Sequence, residues 1–395
     1  MRRQLLYLYA AALLIAACSG DDAAGTSPTG STEFIAFSAS VVGEEQVMTR
    51  TPANAIETSE NLKSDEGGFG VFACYTGLRK YIESSVSSDF MYNEKVTWNN
   101  GDEAWEYAPL KYWPNGEGDV EGTTGQLPHY VSFFAYAPYS NGQPDNAAGY
   151  CIPTYSHQGE PGNPWVTYRL HNNVADQVDL LCADPLLDQT KPEKTERLKF
   201  QFNHALACVG DKVSISCSQD LKDRIDGASN LRLDVTKLEI VYTLTAKARL
   251  VLWNGGEPNW EPIFSEDPVC TRTVTLVDAE HHVVAYANSS SELTIKSVWD
   301  DKGVYYIPIG MPGYPQTATV NIAYQVSTYN GSAWIPGTTK EGSVTLYLNE
   351  YSAAYEPGKH LYINITVSDV MFTVTAAIKD WEEVKVNPSE NVEAI

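Results

Sequence analysis

The sequence predicts an all-β chain, with two tandem antiparallel β-sandwich domains after a secretion signal. Three observations predict it. Long runs in the second half alternate apolar and polar residues with period two, as in Leu238, Ile240, Tyr242, Leu244 and Ala246. The runs are separated by Gly, Pro and Asn turn residues, drawn from 28 Gly and 21 Pro, which break helices and set tight turns. No long apolar stripe at helical spacing with capping residues is present, and no repeat of fixed period.

The elements follow in order. Arg2 and Arg3 precede an apolar run from Leu5 to Ala17, shorter than the ~20 residues of a membrane span. Residues 1–17 therefore form a signal peptide. Ile15-Ala16-Ala17 place small residues before Cys18, the context in which a lipoprotein peptidase exposes an acylated cysteine. Each acyl CH2 buried in lipid contributes about 0.8 kcal/mol, so the chains on Cys18 would anchor the protein to a membrane. Residues 19–32 are Gly, Ser, Thr, Asp and Ala with one Pro, the composition of a flexible tether. Glu33 to Val42 turns apolar, with Phe34, Ile35, Phe37, Val41 and Val42, and reads as a strand. A polar stretch broken by Pro52 runs on to Gly68.

Phe69–Tyr75 and Val131–Ala137 are β-rich runs. Between them Trp98, Trp105, Tyr107, Tyr112 and Trp113 stand among turn residues, as aromatics that pin loops and short strands. Residues 140–165 are Gly/Pro/Asn-rich loop, and Val174–Ala183 is assigned a short helix. The domain boundary falls at 188–197, giving sandwiches over 51–195 and 196–395. In the second, Leu198, Phe200 and Phe202 open a series continued by Val320–Val326, Leu361–Val367 and Phe372–Ile378.

Composition excludes several function classes. The formal charge of −23 becomes −25 when Arg2 and Arg3 are lost, 25 basic against 50 acidic residues, a surface that repels nucleic acid. A hydrophobic content of 43% is ample for packed cores. Beyond Cys18 stand Cys74, Cys151, Cys182, Cys208, Cys217 and Cys270, widely spaced and read as mostly buried thiols, with three disulfides in one of 15 pairings as the alternative. No CxxC pair marks a zinc or redox motif, and adjacent His281-His282 would point to opposite faces of a strand. No HExxH, GxSxG or P-loop occurs, so the reading is a non-enzyme without cofactor or metal. Trp165, Trp253, Trp260 and Trp334 sit near Gly, Asn and Pro in expected loops. They are candidate glycan platforms, since sugar faces stack on aromatic rings. Turn anchoring is the alternative for the same residues.

Several motifs then line up: Trp105-Glu106-Tyr107 with Lys111-Tyr112-Trp113-Pro114, Val131 to Pro138, Asp179 to Ala183, Phe200-Gln201-Phe202-Asn203-His204-Ala205-Leu206-Ala207, Tyr355 to Tyr362, and Asp380-Trp381. With the lipobox, this ordered set resembles the Bacteroidales fimbrillin (Mfa-like) family, lipoprotein subunits of type V pili, over nearly all of the mature chain. The resemblance implies tandem transthyretin-like sandwiches, an outer-membrane, surface-exposed lipoprotein exported by way of Asp21 and Asp22, and a fimbrium after processing. It also implies partners: other pilus subunits, an Arg-specific surface protease, and a host or bacterial surface glycan or protein.

In this picture residues 18–50 are tether plus removable strand, with Phe34, Ile35, Phe37 and Val41 as its apolar residues. The cut falls between Arg50 and Thr51, and Arg50 is the only arginine between Ser19 and Leu78. Pro52 restricts the backbone just after the cut. A vacated groove, with unpaired N–H and C=O groups, would accept a strand from another subunit. The C-terminal end offers Val384 and Val386 before Pro388 breaks the run, so a stalk subunit's full donor strand requires Val370–Ile378 to detach as well, and a tip, accessory or still-anchored subunit fits equally. The alternative is a glycan-binding surface lipoprotein that keeps its N-terminal strand.

Overall fold

The computed structural model describes residues 34–42, 56, 58–63, 68–81, 86–114, 129–142, 151–192, 196–256, 258–277, 282–287, 293–295, 298–300 and 303–380. All lie in one unit of the chain, Thr32–Ile395. The all-β prediction holds. The described residues contain one four-residue helix, Ser59–Leu62, and one ten-residue helix, Gln219–Ala228, against four β-sheets.

An eight-stranded sheet carries the first half. From one edge it runs Phe37–Val41, Leu198–His204, Leu181–Ala183, Tyr130–Ala137, Phe69–Gly77, Met91–Asn99 and Ala104–Glu106, with Leu186–Gln189 also paired to Tyr130–Ala137. Its central strands are buried on both faces, which explains the near-continuous apolar runs FGVFAC and VSFFAYA. Side chains alternate across a strand. Phe69, Val71, Ala73, Phe133 and Ala135 therefore enter one core with Phe200 and Phe202. Phe72, Cys74, Phe134 and Tyr136 enter a second core shared with the rest of the chain. The strand Leu198–His204, downstream of residue 196, lies in this first sheet.

The second half builds two further sheets. Leu231–Thr245 pairs with Val269–Val277, His282–Ala287 and Thr317–Tyr329 in a seven-stranded sheet. Ala207–Cys217 pairs in parallel with Lys359–Val367 in a five-stranded sheet, with Phe372–Asp380 next to it. The inward residues Leu238, Ile240, Tyr242 and Leu244 meet Leu361, Ile363 and Ile365 in one core. A three-stranded sheet joins Trp165–Arg169, Lys247–Val251 and Asn259–Pro262, so strands from both halves of the sequence share a ladder.

Two local features depart from the sequence reading. The short helix expected over Val174–Ala183 is a single 3-10 turn, Val174–Asp176, opened by the Asn173 side chain. Leu181–Ala183 is recruited as a strand between Tyr130–Ala137 and Leu198–His204, because its ladder bonds outweigh local helix preference. The helix Gln219–Ala228 is shorter than the pattern sought. Ser218 caps it, Leu221 and Ile225 bury one turn apart, and Ser229 ends it with a left-handed φ of 55°. Among the described residues the six cysteines are free thiols, four of them buried and Cys217 and Cys270 half-buried.

Candidate functional site

The strand Phe37–Val41 lies at the edge of the eight-stranded sheet and runs parallel to Leu198–His204. Its register places Phe37 opposite Leu198 and Val41 opposite Phe202. The ladder is completed by Leu198 N–H donating to Ala36 O at 2.8 Å and Val42 N–H donating to Phe202 O at 2.9 Å. Its N-terminal end is held from the other side. Phe34, half-buried, bridges Tyr112, and Ile35 N–H donates to Lys111 O at 2.8 Å. Residues 107–113 follow Ala104–Glu106, the opposite edge of the same sheet. The strand therefore sits in a slot between the sheet's first edge and the segment that continues from its last.

The slot is lined by aromatics. Phe37 is 1% exposed and meets Phe200 (ring centroids 5.5 Å apart, stacked), Tyr107 (5.5 Å), Phe133 (5.9 Å) and Phe69 (6.4 Å). Edge-to-face and tilted pairs of this kind add to area burial. Ile35 and Val41 are also buried in that core, and Ala39 packs against it. Positions 35, 37, 39 and 41 thus share one face, as strand alternation requires.

Tyr107 closes the slot. Its hydroxyl donates to Ile35 O at 2.7 Å and accepts from Lys111 N–H at 3.2 Å. Burial pushes its pKa up to about 12 from 10.0. A phenol raised in the folded state contributes stability that is complete below pH 10 and lost as pH climbs through about 12, because the unfolded chain gives up the proton first. Tyr107→Phe should lower stability at neutral pH by about 1–3 kcal/mol, since two buried backbone groups lose their partner. Urea midpoints measured across pH 9 to 12 should then fall less steeply in the variant than in the parent; parallel profiles would refute this role.

Downstream of the strand the chain has a second anchor, packed against the same core. Ile56 N–H donates to Asp179 Oδ2 at 3.2 Å, and the same oxygen holds His204 Nδ1 at 2.9 Å. Asp179 is fully buried and His204 nearly so. Thr58 then caps the turn Ser59–Leu62 through a capping box, and Leu62 is buried. Val42 and Ile56 are thus tied to neighbouring points, Phe202 and the Asp179–His204 pair.

The remaining candidate residues fall elsewhere. Cys18, Asp21, Asp22, Arg50 and Thr51 lie outside the described residues. Trp165 is buried, with the Arg249 guanidinium 4.2 Å from its ring centre. Trp260 is buried and donates its indole N–H to Ala205 O at 2.9 Å. Trp253 is half-buried against Tyr81, and Trp334 has the Arg232 guanidinium over its ring at 4.5 Å and lies tilted against Tyr329 at 5.4 Å. Trp260 pairs with Leu250, and Leu250 with Val166, whereas Trp165 pairs with Val251. The alternation therefore sends Trp165 and Trp260 to opposite faces of the three-stranded sheet, so they do not form one platform. Trp260 instead walls a cleft of about 570 Å³ with His204, Asp184, Glu356, Lys359 and Asp380. Here Lys359 is ion-paired to Asp380.

The slot's walls, Phe69, Tyr107, Phe133 and Phe200, escaped the sequence reading as a set. Each was legible as an apolar strand or turn residue, but their convergence needs the sheet to close.

No protein-family model and no curated protein matches this sequence. The fold is that of a crystallised fimbrial protein from Bacteroides vulgatus, 22% identical, with a TM-score of 0.63 over 88% of this chain and 99% of that one. A fimbrial assembly protein from Parabacteroides distasonis aligns at 12% identity and a TM-score of 0.35, over 88% of this chain and 98% of that one.

Proposed function

We propose that this chain is a fimbrial subunit, lipid-anchored at the cell surface until it is cut, that assembles by strand exchange and supports adhesion. The observation that carries the reading is the Phe37–Val41 strand, an edge element whose core-facing residues plug an aromatic slot. The shared fold of a fimbrial protein supports it. In this reading Cys18 is acylated, Asp21 and Asp22 direct export, and an Arg-specific protease cuts between Arg50 and Thr51. The cut releases the strand while the Asp179 anchor on Ile56 retains the new N-terminus.

The vacated slot presents unpaired backbone and an apolar trough, and both favour addition of a strand. The donor is Phe372–Asp380 of another copy or a related subunit. Among the described residues this strand is bonded only to Lys359–Val367. Its Phe372, Val374, Ala376 and Ile378 repeat the spacing of Ile35, Phe37, Ala39 and Val41. Donor and slot differ, so the contact is head-to-tail and propagates as a filament rather than closing.

The test is the N-terminal sequence and intact mass of the protein recovered from cell-surface filaments. A species starting at Thr51 without lipid is expected. Filament protein that starts only at acylated Cys18 would overturn exchange, because the strand would still fill its slot.

A further inference from the structure

A second constellation lies on the Ala207–Cys217 and Lys359–Val367 strands of the five-stranded sheet. Cys208 in the strand Ala207–Cys217 stands directly opposite His360 in the parallel strand Lys359–Val367. Asp211 is three residues beyond Cys208, and in a regular strand the two would face opposite ways. Here the ladder slips between Val209 and Val213, and Gly210 adopts a left-handed φ of 74°. Such a bulge turns one side chain toward the face it would otherwise leave. The result brings Cys208 Sγ, an Asp211 carboxylate oxygen and a His360 ring nitrogen within 4.8 Å of one another, all three residues buried.

The glycine is needed for the packing as well as the turn. A Cβ at Gly210 would lie 2.1 Å from the Tyr242 hydroxyl oxygen. That hydroxyl is buried and has no hydrogen-bond partner in the described structure. Asp211 Oδ2 is hydrogen-bonded to His360 Nδ1, while Asp211 Oδ1 is buried without a partner. Leaving such groups unsatisfied is costly, roughly 1–3 kcal/mol each and more for a charge. The Tyr242 hydroxyl and one Asp211 carboxylate oxygen are thus unused beside a thiol and an imidazole.

We infer that Cys208, Asp211 and His360 form a structural zinc site. Thiolate, imidazole and carboxylate are ordinary zinc ligands, with bonds of about 2.0–2.3 Å. Tetrahedral geometry at those lengths sets donors about 3.3–3.8 Å apart, within reach by small side-chain rotations. The Tyr242 hydroxyl or a water supplies a fourth donor. The charges balance, since Zn2+ with one thiolate, one carboxylate and a neutral imidazole is electrically neutral and can be buried. A thiolate donor favours zinc over calcium or magnesium. Without a cation, burial and the Asp211 charge hold the Cys208 thiol protonated; on binding, the S–H proton leaves to solvent and the sulfur bonds the metal. All three ligand residues are buried, which points to a folding staple rather than catalysis.

The experiment uses the purified full chain, stripped with a chelator and reloaded. With Co2+ as the spectroscopic probe, the site predicts a near-ultraviolet thiolate-to-cobalt band and tetrahedral visible bands at one equivalent per chain. With Zn2+ it predicts one retained equivalent by elemental analysis and a higher melting temperature. Cys208→Ser should abolish the cobalt band and Asp211→Asn should weaken binding, with circular dichroism checking that each variant folds. The wild-type measurement stands even if a variant does not fold. Absence of a tight equivalent in the wild-type chain, or a cobalt band that survives in folded Cys208→Ser, would overturn the assignment.

Discussion

A chain that begins at Thr51 should lose most of the first sheet's stability and regain it when a peptide spanning residues 33–42 is added. The strand buries Ile35, Phe37 and Val41, each 3% exposed or less. Fully burying such side chains contributes about 1.5–3 kcal/mol apiece, so their loss removes roughly 5–9 kcal/mol. That is comparable with the whole net stability of an ordinary domain, about 5–15 kcal/mol. The backbone groups of Leu198–Phe202 that the strand satisfies would also be left without their partners. Urea unfolding of the shortened chain, with and without peptide, measures the effect. A peptide carrying the Phe372–Asp380 sequence should substitute for the native one, and a peptide with Phe37→Asp should not. If the shortened chain unfolds at the same urea concentration as the full chain, the slot is not held by this strand and the exchange reading fails with it.

Phe37→Ala in the uncut chain should cost about 3–5 kcal/mol, the usual range for emptying a buried phenylalanine site. The expectation is at the upper end, because four aromatic neighbours at 5.5–6.4 Å surround the ring and cannot all collapse into the space it leaves. The control is Ser38→Ala, one residue on and on the opposite face, which should change stability by no more than about 0.5 kcal/mol. The contrast is read in denaturant midpoints. Similar losses for both substitutions would mean that the strand is held by its backbone alone, and that the aromatic trough does not select what fills it.

How much of this was legible in the sequence differs from residue to residue. Glu33–Val42 was readable as a strand because its apolar residues are near neighbours, and the observed strand Phe37–Val41 falls within it. The long alternating runs were readable for the same reason, and Thr317–Tyr329, Lys359–Val367 and Phe372–Asp380 appear where the alternation predicts them. His204 was legible only as part of the Phe200–Ala207 motif, and its bond to Asp179 joins residues 25 positions apart. The Val174–Ala183 helix failed because three residues at its end gain more from two neighbouring strands than from a helical turn.

By itself the sequence determined the class of fold, the places where strands run, and the apolar face each presents. These follow from a backbone that alternates side chains every residue, a rule contained in a few consecutive positions. It also carried the small residues before Cys18 and the one arginine between Ser19 and Leu78, Arg50, both read locally. Only the tertiary structure decided which strands meet. The parallel pairing of residues 37–41 with 198–202, the four-ring trough around Phe37, and the approach of Asp211 to His360 across 149 positions are long-range choices. Pairing free energy belongs to the closed sheet as a whole, and no short segment of the chain contains it.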